Sequence, residues 1–175
     1  MSSRYYFLSS MSMLRFSDKA PVSWEDFLRQ AKGNVSEDDY GALCSIDDRS
    51  ESSNKFLGKW HELNTKLDEA VNVRRRQNLH REEKSQAVFV DYEVSKAANA
   101  AVNAKNPLEA EMELMKFRYD WLEEQKGLDP FSEAALFAYA LQLKILLRKD
   151  LFNVEAGNEQ FRSMFESIQK ELKTE

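Results

Sequence analysis

Residues 129–152 read DPFSEAALFAYALQLKILLRKDLF. The ten from Ala134 to Leu143 carry no charge, in a chain where 31% of residues are charged and the formal net charge is −5. Such a run admits three structures: a membrane span, a strand, or a helix enclosed by other helices. A span needs about 20 mainly apolar residues to cross about 30 Å of hydrocarbon, and Glu133 and Lys144 bound this run after ten. A strand is disfavoured because the run is built from Ala and Leu, continues into Ile145, Leu146 and Leu147, and holds few of the β-branched residues that suit a pleated surface. A helix fits, with Pro130 tolerated in the first turn and Asp129 as N-cap. On a helical period Leu136, Tyr139, Leu143 and Leu146 share one side, while Phe137, Ala138 and Leu141 cover much of the remainder. An ordinary surface helix has one apolar stripe. This one is therefore expected at the centre of a bundle, with Phe137, Tyr139 and Leu141 buried.

The rest of the composition agrees. A chain of 175 residues suits one helical domain, residues 1–175, with a core large enough to need no staple. The lone Cys44 excludes an internal disulfide and fits a reducing compartment. The opening MSSRYYFLSSMSML is broken by Ser9, Ser10 and Ser12 and lacks the apolar core of a signal peptide, which gives a cytoplasmic expectation. Five glycines and three prolines are too few for the turns of a β-sandwich or barrel. The expected fold is all-α: a compact helical bundle with one central buried helix and a long, partly extended helix pair.

Helix punctuation recurs along the chain. Ser23 with Asp26, and Ser36 with Asp39, have capping-box-like spacing. They introduce a face of Trp24, Phe27, Leu28 and Ala31, stopped by Gly33, and a shorter one of Tyr40, Leu43 and Cys44, the last read as a small buried hydrophobe. Phe56, Trp60, Leu63, Leu67 and Ala70 then recur at helical steps. The stripe turns polar from Val73 to Gln86 and returns at Val88, Tyr92 and Val94. The alanine-rich VSKAANAAVNAK that follows permits close helix packing. Asn106 and Pro107 open another helix, whose stripe runs through Leu108, Met112, Met115, Tyr119 and Leu122 to Gly127. A final helix from near Val154 carries Phe161, Met164, Phe165, Ile168 and Leu172.

Chemistry-bearing motifs are scarce. Neither G-x-G-x-x-G nor G-x-x-x-x-G-K-[ST] occurs, so there is no glycine loop to cradle a phosphate. His61 lacks a second histidine four residues on, where Thr65 stands, so no zinc helix forms there. No local motif supports Cys44 as a nucleophile with His61 or His80. Neither a cofactor, a metal site nor an enzymatic activity is expected. The sharpest polar feature is the run Arg74, Arg75, Arg76, continued by His80 and Arg81. Nucleic acid is a poor partner for it, since Asp68, Glu69, Glu82 and Glu83 flank it, no aromatic interleaves it, and the chain is acidic. Two readings stay open: a solvated or salt-bridged helix segment, and a basic surface that meets an acidic protein. Lys144, Arg148 and Lys149 form a second basic group in the last turns of the uncharged helix, where the helix dipole favours cations.

Four stretches carry a resemblance: RYYFLSSMSMLRF, SWEDFL, NPLEAEMELMKFRYDWLEE and DPFSEAALFAYALQLKILLRKDLFNVEAG. They resemble a family of small bacterial proteins encoded beside V/A-type rotary ATPase subunits, itself similar to the C-type (also d-type) connector of those ATPases. The matching positions are Asn106, Pro107, Leu108 and Glu109, then Ala138, Tyr139, Leu141, Leu143 and Ile145. The resemblance implies a helical, non-catalytic connector without cofactor. Its partners would be V/A-type ATPase subunits on the rotor-stalk or membrane-ring side, with neither nucleic acid nor direct membrane insertion. It would lie in the cytoplasm or peripheral to the membrane through that complex. Arg74, Arg75, Arg76, Arg81, Lys144, Arg148 and Lys149 are the candidate partner-binding residues. The alternative is a stand-alone helical adaptor or assembly factor.

Overall fold

A computed structural model of the chain describes residues 3–48, 54–79 and 91–152. Among these residues it is all-α, 71% helical, with seven helices and no strand. The elements are α1 (Ser3–Ser10), α2 (Trp24–Ala31), α3 (Glu37–Cys44), α4 (Lys55–Asn78), α5 (Tyr92–Val102), α6 (Pro107–Gln125) and α7 (Glu133–Asp150). The helix expected near Val154 lies outside the described residues.

The uncharged run forms the body of α7, and ten of that helix's 18 residues are buried. Phe137 is wholly buried and Leu141 nearly so, whereas Tyr139 is only half-buried: its ring lies against Phe27, and its hydroxyl donates to the Ser12 carbonyl at 3.1 Å. The polar Gln142 is buried with its amide satisfied, donating to Glu123 Oε2 at 3.0 Å and to the Tyr119 carbonyl at 3.4 Å. Burying that amide unpaired would cost about 1–3 kcal/mol. The helix starts later than expected. Ser132 is the N-cap, accepting from the Ala135 amide, while Asp129 closes a turn one step earlier by accepting from the Phe131 amide at 3.0 Å. The segment offers two capping side chains, and the one next to the apolar run wins.

Two hydrophobic clusters result among the described residues. The larger gathers α7 with Phe7, Phe27, Leu43, Ile46, Leu57, Met115 and Leu122. The smaller lies between α4, α5 and α6, where Leu63, Leu67, Ala70 and Val71 meet Val94, Ala97, Ala98 and Ala101. Trp60 and Trp121, 6.0 Å apart between ring centroids, pack against both. The expected long helix pair is α4 with α5, of 24 and 11 residues. The alanine face of α5 lets it approach closely.

Sequence punctuation places most boundaries. The Ser23, Ser36 and Asn106 side chains accept from the Asp26, Asp39 and Glu109 amides, and Pro107 opens α6. Gly33 and Gly127 follow α2 and α6 at φ +80 and +74, the left-handed conformation that suits a helix stop. Two expectations need correction. Cys44 is exposed rather than buried, because the turn after α3 buries Ile46 beside Leu43 and rotates Cys44 outward. Tyr92, in the first turn of α5, is also exposed, and Val94 is the first residue of that helix in the core.

The N-terminal stretch between α1 and α2 is tied to the far end of α7. Lys149 Nζ donates to the carbonyls of Phe16 and Asp18 at 2.5 and 2.6 Å, and Asp150 accepts from the Ala20 amide at 2.8 Å. Arg4 of α1 pairs with the buried Asp39 of α3 at 2.7 Å. No helix among the described residues is long and apolar enough to cross a membrane.

Candidate partner-binding site

Among the described residues a cleft lies over one face of α4, α6 and α7, bounded also by Ser23, Trp24 and Glu25 at the start of α2 and by Ile46 and Asp47 after α3. Trp60, Asn64, Asp68, Val71 and Arg75 recur along α4 at three- and four-residue steps. Glu111, Met115 and Arg118 do so along α6, and Leu141, Lys144, Arg148 and Leu151 along α7 and its C-cap. Residues so spaced lie on one side of a helix, so the three helices present one stripe each to a shared cleft of about 1060 Å³. Its floor is apolar, with Leu114, Met115, Leu141 and Ile145, and its rim is charged.

The rim charges are mostly paired. Lys144 pairs with Asp47 and lies 4.5 Å from the centre of the Trp24 ring. Arg148 pairs with Glu111, its Nε donating at 3.0 Å. Arg118 donates to Asn64 Oδ1 at 2.7 Å and lies 3.6 Å from Asp68. Arg75, exposed, has neither an ion pair nor a hydrogen bond to its side chain among the described residues. The Arg148–Glu111 pair, with the Arg148 side chain 63% exposed, is of the kind that contributes about 0–1 kcal/mol, so a partner could exchange it at little cost.

The candidate basic residues therefore divide. Arg75, Lys144 and Arg148 meet at the cleft, although the sequence separates Arg75 from the other two by a whole helical hairpin. Arg74 turns away and joins α4 to α5, donating to Ser95 Oγ at 3.3 Å and to Gln77 Oε1 at 3.2 Å. Arg76 is exposed and unpaired among the described residues, beside the exposed Leu79 at the end of α4. Lys149 is not a free contact, since its ammonium clamps the N-terminal stretch and lies 5.3 Å from the centre of the Phe16 ring. Arg81 and His80 lie outside the described residues. The apolar floor has no signature in the sequence because Leu114, Ile145 and Leu147 read as core positions of separate helices. Arg118, flanked by Phe117 and Tyr119, gives no signal of its own.

Among the described residues no three His, Cys, Asp or Glu side chains are grouped to hold a metal ion. Tyr40 is raised from its ordinary value chiefly by its hydrogen bond to Cys44. Comparison with known proteins adds one match. The profile of a family described as a protein of unknown function (DUF2764) covers residues 99–172, which take in the end of α5, all of α6 and α7, and the chain beyond. No curated protein and no solved structure matches the chain.

Proposed function

We propose that this protein is a non-catalytic helical connector that docks an acidic protein surface, and that its partners are subunits of a V/A-type rotary ATPase. The observation that carries the docking is the pair Arg75 and Arg76. Both are exposed and unpartnered among the described residues, on the last turns of a helix about 36 Å long, with Leu79 exposed beside them. Unpaired guanidinium groups beside an apolar side chain suit the charge-assisted contacts of an interface and steer association. The choice of ATPase subunits rests on the resemblance of the NPLE and Ala-Tyr helices described above.

The test is co-purification from the native host with wild type and an R75E/R76E variant, at about 0.1 M and about 1 M salt, between which the Debye length falls from about 10 Å to about 3 Å. Rotor-stalk or membrane-ring subunits should be recovered with wild type at low salt. They should weaken at high salt and be lost with the variant. Recovery unaffected by both changes would remove this tip from the interface. Recovery of unrelated proteins in place of ATPase subunits would favour a stand-alone adaptor.

A further inference from the structure

Residues 11–22, between α1 and α2, contain neither helix nor strand, yet the stretch is held along its length. Four hydrogen bonds tie it to α7. The Tyr139 hydroxyl donates to the Ser12 carbonyl at 3.1 Å, Lys149 Nζ donates to the Phe16 and Asp18 carbonyls at 2.5 and 2.6 Å, and Asp150 accepts from the Ala20 amide at 2.8 Å. All four end on the backbone of the stretch. Its own Ser12, Met13, Arg15, Ser17, Asp18 and Lys19 are exposed. The side chain that is gripped is Phe16, half-buried, whose ring centre lies 5.5 Å from that of Tyr119 and 5.8 and 5.3 Å from the Lys116 and Lys149 ammonium groups.

A folded domain reads a non-helical peptide in this way, with hydrogen bonds to the main chain for affinity and a pocket for one side chain for selectivity. We infer that this face of α6 and α7 is a peptide-recognition site, occupied in cis by the chain's own residues 11–22, and that its partner is a non-helical segment of another protein with an aromatic residue in the place of Phe16. Contacts to backbone are blind to sequence, so a different segment can make the same four. The ring between two ammonium groups sets the choice of side chain, because cations are attracted to aromatic faces, that of Trp most of all. Three of the four hydrogen bonds lie at exposed positions, where water can replace them while segments exchange. The tether presents residues 11–22 to the site at about millimolar effective concentration, so the contact is autoinhibitory and admits only a segment that outcompetes it. None of these groups is shared with the Arg75 and Arg76 tip.

The test keeps the chain whole and weakens only its own occupant. Phe16→Ala removes the gripped ring and leaves Lys116, Tyr119, Tyr139, Lys149 and Asp150 in place, while trypsin cleavage after the exposed Arg15 and Lys19 reports how firmly the stretch is held. The probe is a fluorescent synthetic peptide of residues 11–22, MSMLRFSDKAPV, followed by anisotropy. The F16A chain should be cleaved faster than wild type and should bind the peptide about tenfold more tightly or better, since its own segment competes less. A peptide with Trp in place of Phe16 should bind more tightly still, and one with Ala there should not bind. Adding Lys149→Met to the F16A chain should abolish peptide binding while circular dichroism shows the helices retained. Phe16→Leu serves as a milder variant should F16A unfold the chain. Absence of peptide binding to a chain whose cleavage shows the stretch loosened overturns the inference, since that is the behaviour of a segment that merely packs. Unchanged cleavage of the F16A chain overturns it too, because the ring then does not hold the stretch. Equal binding of the Ala peptide, or binding that survives Lys149→Met, places the contact elsewhere and overturns it as well.

Discussion

Tyr139 shows how one side chain links packing to solution behaviour. Its ring lies against Phe27 and its hydroxyl reaches back to Ser12, and burial pushes its phenol up from 10.0 to about 12. Burial does the same to Tyr119, helped by the negative charges of Glu123 and Asp120. Because the folded state holds these protons more tightly than the unfolded one, the stability they contribute is fully present below pH 10.0 and is lost as pH rises through about 12. Alkaline titration followed by circular dichroism should therefore show unfolding that coincides with tyrosinate absorbance. A Tyr139→Phe variant should be about 1 kcal/mol less stable at neutral pH, through the lost hydrogen bond. Its stability should nevertheless fall less steeply across that alkaline window. An unchanged slope would mean that Tyr139 ionises without loss of the fold.

Helix α5 depends on the smallness of its residues more than any other element. Ala98 is wholly buried between α4 and α6, with Ala97 and Ala101 beside it. Ala98→Leu should force these helices apart and cost about 1–3 kcal/mol in urea unfolding; a neutral or stabilising result would reveal slack in the smaller cluster. That α5 packs closely is legible in its alanine run, just as the ten-residue uncharged run is legible as α7. In both cases burial or approach is encoded by consecutive residues. Ser23, Ser36 and Asn106 are legible as caps for the same local reason. Asp129 misleads as a cap because Ser132 competes for the same helix start. Cys44 misleads because whether the last turn of α3 buries its seventh or eighth residue depends on what packs over it. The cleft has no local signature at all. It exists only once α4, α6 and α7 are arranged side by side, and only then do Arg75, Lys144 and Arg148 share a rim.

At the scale of the molecule, the two clusters meet chiefly through Trp60 and Trp121, and they differ in what they bury. The larger holds whole aromatic rings such as Phe27 and Phe137, the smaller mostly alanine and leucine. At about 25 cal/mol per Å² of apolar surface buried, the larger should be the more stable unit. Native-state hydrogen exchange should find the amides of α7 opening only with global unfolding, and those of α5 opening at lower free energy. Equal protection would make the two clusters one cooperative body. The clamp at Lys149 and Asp150 adds a constraint in time. The stretch it grips lies 130 to 133 residues upstream, and Phe7, Phe27 and Leu43 likewise wait for α7 to cover them. Synthesis at about 5–20 residues per second leaves the N-terminal helices uncovered for about 6–26 s, while α4, α5 and α6, neighbours in sequence, can already pack. The nascent chain should thus condense from its middle, with its beginning the last part to find a place.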